Sequence, residues 1–159
     1  MNVVVDVLRD CDDDSVPTDE FVRDWVGRAV TAAGRTHAEI SVRTVDSAAM
    51  RALNRDYRGK DNATYVLSFP AGSVVGLPAG EPEPLGDIVI CAAVVRDEAG
   101  AQGKSTPDHW AHMLVHGTLH LLGFDHEADA DAAEMEALEI RLLAARGIAD
   151  PYGANDRNC

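Results

Sequence analysis

The chain has 159 residues and a net charge of −13, with 46% hydrophobic and 26% charged residues. These values are typical of an ordinary globular protein and indicate one domain, residues 1–159. No apolar run approaches the roughly 18 residues that a membrane span needs, so no membrane partner is expected. The acidic charge argues against indiscriminate binding to polyanions, and no DNA partner is expected.

The cysteines and the N-terminus predict a cytoplasmic location. Cys11, Cys91 and Cys159 are far apart and form no C-x-x-C pair. This spacing indicates a reducing compartment and argues against a disulfide framework or a cysteine zinc site. Residues 1–6 lack the basic region of a secretory signal.

The N-terminal part of the chain begins with a predicted strand, helix and strand. Residues 3–8 are a short run rich in β-branched side chains, and residues 38–45 alternate between apolar and polar side chains, so both are predicted strands. Between them, apolar residues recur at helical spacing. Thr18 is placed to cap this helix and Gly34 to end it.

A short basic helix follows, over residues 48–57, with Asp46 or Ser47 as its cap. Residues 51–60, in this helix and the next turn, carry four basic residues against one acidic residue, in an otherwise acidic chain. The basic residues are Arg51, Arg55, Arg58 and Lys60. This asymmetry favours an anionic substrate near the segment, although a solvated helix face would give the same pattern.

The middle of the chain predicts two strands separated by a long loop. Residues 64–69 form a third strand that Pro70 stops, and residues 71–84 are rich in glycine and proline. Residues 85–92 are a nearly continuous apolar run, which predicts a fourth strand buried on both faces. Residues 94–101 are predicted to be helical.

The next helix carries a stripe of histidines. Thr106 is predicted to cap it and Pro107 to occupy its first position. Four histidines fall within about 80° of one another at 100° per residue. They are His109, His112, His116 and His120. Leucines and other apolar residues cover much of the rest, so the helix is largely buried and its ring nitrogens need partners. We expect His109 and His112 to be hydrogen-bonded rather than metal ligands. A last amphipathic helix is predicted over residues 130–146.

The end of this stripe predicts a metal site. His116 and His120 lie one turn apart on one face, where two imidazoles can bind one ion. Gly123 is placed to end the helix in a left-handed conformation, so the chain could turn back and bring His126 round as a third ligand. Three histidines leave one position open, as in a catalytic zinc site. We therefore predict one Zn²⁺ held by these residues.

The spacing H-x-x-x-H-x-x-G-x-x-H is that of the metzincin proteases, with one decisive departure. In those enzymes a glutamate general base follows the first histidine, and here the residue is Gly117. Without that carboxylate the usual route to peptide hydrolysis is missing. A zinc metalloprotease therefore becomes the secondary hypothesis.

With glycine in that position, residues 116–126 resemble the YbeY family of metal-dependent endoribonucleases, the bacterial rRNA maturation factors. Residues 53–61, followed by Thr64 and Val66-Leu-Ser-Phe-Pro70, resemble a second signature of that family, and Leu85-Gly-Asp-Ile88 resembles a third. The chain departs from the pattern at Tyr65, where the family usually has aspartate. The resemblance implies a catalytic or substrate-positioning arginine at Arg58 and single-stranded RNA as substrate. It also implies a role in maturing the 3′ end of small-subunit (16S) rRNA and in ribosome quality control, with the small ribosomal subunit and assembly factors as partners.

The chemistry of the residues is compatible with RNA cleavage. A phosphodiester gathers negative charge in its transition state, and a cation together with the guanidinium of Arg58 would stabilise it. Asp125 could orient a metal ligand or accept a proton, or it could only form the turn. We predict an α+β, zincin-like domain with a mixed four-stranded sheet, about five helices and the metal helix at its centre. A non-catalytic ribosome-assembly factor with a structural metal is a further alternative.

Overall fold

The computed structural model describes residues 2–58, 66–70, 81–124 and 129–151. Within these ranges the chain forms four strands and five helices, as predicted for an α+β domain. In chain order they are β1 (Asn2–Asp10), α1 (Asp19–Ala32), β2 (His37–Val45), α2 (Ser47–Arg58), β3 (Val66–Pro70), β4 (Glu83–Cys91), α3 (Ala92–Ala101), α4 (Thr106–Leu121) and α5 (Asp129–Ala144).

The four strands form one mixed sheet in the order β1-β2-β4-β3. β1, β2 and β4 are parallel, and β3 runs antiparallel at the edge. The alternation predicted for β2 is present, because Ala38, Ile40 and Val42 are buried while Glu39 and Arg43 are exposed. The buried side of the sheet is therefore largely apolar, and it needs helices to cover it.

Helix α4 is the central element on that face. It packs against β3 and β4 of the sheet and against helices α1, α3 and α5. Every residue from 109 to 119 is buried, including the bulky Trp110 and Leu114. The predicted burial of the histidine helix is thus confirmed, and the side chains of His109, His112 and His116 are shielded from water.

Local sequence signals place most helix ends correctly. The Thr18 hydroxyl accepts a hydrogen bond from the Phe21 amide at 3.2 Å, and the Asp46 carboxylate accepts one from the Ala49 amide at 2.8 Å. Gly34 and Gly123 have φ values of 84° and 99°, as their predicted places at helix ends require.

The predicted cap of α4 was wrong by one residue. Ser105, not Thr106, has extended backbone geometry, and its hydroxyl accepts from the Asp108 amide at 3.2 Å. The two amides that Thr106 could have capped both donate to Ser105 instead, because the His109 amide donates to the Ser105 carbonyl at 3.1 Å. The first turn is therefore already closed through Ser105.

The ends of β4 and the exposure of one of its residues also differ from the prediction. The strand begins at Glu83, inside the segment predicted as loop, and α3 begins directly after Cys91. Its second half, residues 88–91, is buried as predicted, whereas Asp87 is exposed. Residues 64 and 65 of the predicted third strand, and residues 71–80 of the predicted loop, lie outside the described residues.

Candidate metal centre

The last two histidines of α4 face each other. The Nε2 atoms of His116 and His120 are 3.1 Å apart, and their ring centroids are 4.6 Å apart at an interplanar angle of 77°. When two nitrogens bind the same tetrahedral ion at about 2.0–2.1 Å, they lie about 3.3 Å apart. The observed separation is that of a hydrogen bond between the two rings, and it is also close to the spacing of two imidazoles that share one metal ion.

A buried carboxylate lies behind His116. Glu139, from α5, is fully buried, and its Oε1 lies 2.8 Å from His116 Nδ1. Its other oxygen, Oε2, lies 2.9 Å from His112 Nε2. Burial raises the pKa of the Glu139 carboxyl, but the hydrogen bonds and charges of these two histidines outweigh burial and lower the pKa to about 2. Glu139 is therefore an ionised acceptor at neutral pH.

The same three residues form a compact group of metal-binding type. His112, His116 and Glu139 each offer one ligand atom, and these atoms lie within 4.8 Å of one another. The His116 ring thus has two sides, because Nδ1 faces Glu139 while Nε2 faces His120. Either side could in principle hold a cation, and the two arrangements use different nitrogens of His116.

His109 and His112 are hydrogen-bonded, as predicted. His109 Nε2 lies 3.1 Å from Glu98 Oε2 on α3, and His112 bonds Glu139. Burial lowers the pKa of His112 below its ordinary value, against the opposing effect of Glu139. The two carboxylates thus hold the first two histidines of the stripe in place.

Gly117 faces the sheet rather than the pair of histidines. A Cβ at this position would lie 3.0 Å from Ile88 Cγ2 and 3.1 Å from Val66 Cγ2. The Gly117 carbonyl also accepts a hydrogen bond from the Ser68 hydroxyl at 3.1 Å. A glutamate here would have to enter the core between α4 and the sheet, so this position cannot supply the carboxylate of a zinc protease.

Two basic residues of α2 lie on the surface. Arg51 and Arg55 are exposed, and Arg55 forms an ion pair with Asp56 at 3.3 Å. Arg58 is the last residue of α2. Three further predicted site residues, Lys60, Asp125 and His126, lie outside the described residues, as does Tyr65.

Glu139 is the site residue that the sequence analysis missed. It lies four residues after Met135 and four before Leu143, both of which are fully buried. At helical spacing these positions share one face. A carboxylate in the middle of an apolar stripe was therefore the available signal, since a buried charge requires specific partners.

Comparisons with known proteins point to one family. The sequence profile described as "Endoribonuclease YbeY" matches residues 9–147. The Endoribonuclease YbeY of Halorhodospira halophila is 56% identical over 138 residues, which cover 87% of this chain and 89% of that protein. The Endoribonuclease YbeY of Alkalilimnicola ehrlichii is 54% identical over 143 residues, covering 89% and 86%.

A solved structure has the same fold. The solution structure of TM1509 from Thermotoga maritima superimposes with a TM-score of 0.59 at 21% identity, covering 98% of this chain and 93% of that one. Among the described residues, no helix combines the length and the hydropathy needed to cross a membrane.

Proposed function

The chain belongs to the YbeY family of endoribonucleases, and from this premise we propose that it is a metal-dependent enzyme that cleaves single-stranded RNA. Its cellular task, in this proposal, is maturation of the 3′ end of small-subunit (16S) rRNA and ribosome quality control. The observation that carries the proposal is the pair of facing histidine nitrogens, 3.1 Å apart, at the end of a buried helix.

We propose that His116, His120 and His126 hold one Zn²⁺. The spacing of the first two nitrogens supports this assignment, and so does the left-handed Gly123, which ends the helix three residues before His126. When bound, the ion supplies positive charge for the scissile phosphate. Three histidine ligands would leave a position open toward substrate.

Arg58 is proposed to stabilise the charge that develops on the phosphate. A guanidinium binds two phosphate oxygens at once, and it stays charged throughout the reaction. The exposed Arg51 and Arg55 on the same helix, followed by Lys60, are proposed to contact the RNA backbone. A local basic segment explains how a chain of net charge −13 can bind a polyanion at all.

Asp125 is proposed to act beside His126, either by orienting that ring or by accepting a proton from the attacking group. The partners we propose are the small ribosomal subunit and its assembly factors, with a single domain carrying the activity. Cys11 and Cys91 are free thiols, which is compatible with the proposed reducing cytoplasm.

Cleavage of matched RNA substrates tests the proposal. The zinc-loaded protein is incubated with a single-stranded oligonucleotide from the 3′ end of precursor 16S rRNA, and with the same strand annealed to its complement. We expect internal cleavage of the single strand, little cleavage of the duplex, and loss of activity with a chelator. Cleavage that persists after the metal has been removed would overturn the proposal.

A further inference from the structure

We propose that Glu139 is a positioning residue that fixes the proton of His116 on Nδ1 and so presents Nε2 of that ring to the metal. The inference rests on the proposed metal site of His116 and His120, and it assigns a role to a residue on a different helix. Glu139 comes from α5, which follows the metal helix in the chain and packs against it.

The first step is the direction of the hydrogen bond. Each oxygen of the Glu139 carboxylate lies within hydrogen-bond distance of a ring nitrogen, His112 Nε2 at 2.9 Å and His116 Nδ1 at 2.8 Å. A carboxylate that accepts at both oxygens makes His116 Nδ1 the donor. A neutral imidazole carries one proton, and its other nitrogen then keeps a lone pair. That other nitrogen, Nε2, is the atom that faces His120 Nε2 at 3.1 Å.

The second step concerns what holds Glu139. His112 Nε2 donates to the second oxygen at 2.9 Å, so the carboxylate is held at both of its oxygens by rings one turn apart on α4. A carboxylate with no exposed surface would be costly without such donors. The pair of bonds also prevents the carboxylate from rotating, which keeps Oε1 directed at His116.

The third step separates this role from direct metal binding. Two ligand atoms of one tetrahedral ion lie about 3.3 Å apart. The contacts of 2.8 and 2.9 Å between Glu139 and the two rings are instead the lengths of charge-assisted hydrogen bonds. The geometry therefore assigns Glu139 to support of the metal ligand, a carboxylate–histidine–metal arrangement that also makes Nε2 a better electron donor.

The chain contains a matched control about two helical turns before His116. His109, also buried on α4, bonds Glu98 through Nε2 at 3.1 Å, in a pair that touches neither His116 nor His120 in the described contacts. Removing the charge of Glu98 should disturb a buried histidine of the same helix without altering the metal ligands. The comparison separates general loss of packing from a specific effect on His116.

The test measures zinc affinity by competition with a chromophoric chelator in wild type and in Glu139→Gln, Glu139→Ala and Glu98→Gln. We expect Glu139→Gln to weaken zinc binding about 10-fold and Glu139→Ala about 100-fold, because supporting carboxylates contribute on this scale. Glu98→Gln should stay within a few-fold of wild type. Should Glu139→Ala fail to fold, the isosteric glutamine variant carries the comparison.

Two spectroscopic readouts accompany the affinities. Long-range ¹H–¹⁵N spectra of the metal-free wild type should show His116 protonated at Nδ1, and in Glu139→Ala a mixture of the two neutral forms. The visible spectrum of the Co²⁺-substituted protein should keep its shape in Glu139→Gln, because the ligand atoms are unchanged. Wild-type affinity in both Glu139 variants, His116 protonated at Nε2, or a Co²⁺ spectrum that loses a carboxylate ligand would each overturn the inference.

The outcome also distinguishes this inference from the proposed function. If zinc binding requires His116 and His120 but is indifferent to Glu139, only the positioning role fails. If neither histidine is needed for stoichiometric zinc, the proposed metal site itself fails.

Discussion

Gly117 lies so close to Ile88 that a Cβ on the glycine would be 3.0 Å from the isoleucine Cγ2. This close approach sets the distance between the histidine helix and the sheet. It also explains in physical terms why the protease-like spacing of the motif is not accompanied by protease chemistry. The position that would carry a general base in a protease is directed at the core, away from the ring nitrogens of His116 and His120.

Gly117→Ala should therefore destabilise the protein. In a free helix the substitution would stabilise by roughly 1 kcal/mol, but the clash with Ile88 and Val66 reverses the sign, and we expect a net loss of about 1–3 kcal/mol. Gly27→Ala is the matched control, since nothing lies within 4 Å of a Cβ built there on α1. Urea unfolding of the metal-free proteins measures both, and equal effects of the two substitutions would refute the close-packing argument.

Arg58→Ala should lower the single-turnover rate constant of RNA cleavage by about 10²–10³-fold while leaving zinc stoichiometry at the wild-type value, because the guanidinium is proposed to act on the phosphate and not on the ion. Arg58→Lys keeps the charge but not the planar fork, so it should recover only part of the rate. Single-turnover kinetics on the single-stranded oligonucleotide provide the measurement. An unchanged rate in Arg58→Ala would remove this residue from the reaction.

Arg51→Ala and Arg55→Ala should each weaken RNA binding and make it less dependent on salt. Each phosphate that an arginine no longer neutralises should reduce the slope of log K against log salt by about 0.7 for a single strand. Arg28→Ala is the control, because it removes the same charge from α1, where the arginine pairs with Asp24 at 3.0 Å. A slope that does not change in the α2 variants would make Arg51 and Arg55 ordinary surface residues.

The metal-free protein should lose stability in acid. The pKa of Glu139 is about 2 in the fold against an ordinary value of 4.5. The unfolded chain therefore binds this proton first, so the stabilisation from Glu139 is complete above pH 4.5 and is lost as pH falls toward 2. The lowered pKa of His112 acts in the same direction below its ordinary value of 6.5.

The Glu139→Gln variant shows how much of this pH dependence of stability comes from the Glu139 carboxylate. Its free energy of unfolding should fall less steeply than that of wild type between pH 4.5 and the lowest pH at which both proteins fold. Urea titrations at several pH values provide the comparison. If the two proteins lose stability equally over this interval, the ionised Glu139 is not what the acid removes.

The sequence predicted the elements that are determined by residues close together in the chain. The histidine stripe follows from helical periodicity, and Thr18, Asp46 and Gly123 act through bonds or backbone angles within a few residues of themselves. The same locality explains the error at Ser105, since two adjacent hydroxyl residues can cap one helix and only the closure of the first turn decides between them.

The same reasoning could predict only part of the candidate site. The facing of His116 and His120 follows from four-residue spacing on one helix. The bond between His116 and Glu139 joins residues 23 positions apart, and it exists because α5 packs against α4. No periodicity within either helix encodes that pairing. Only the burial of a carboxylate on the apolar face of α5 indicated a polar partner across the interface.

The most direct test is a crystal structure of the zinc-loaded protein with an anomalous difference map recorded at the zinc absorption edge. We predict one peak about 2.0–2.1 Å from the Nε2 atoms of both His116 and His120, with Glu139 still bonded to Nδ1 of His116. No peak at these two rings, or a peak among His112, Glu139 and the Nδ1 side of His116, would contradict the account.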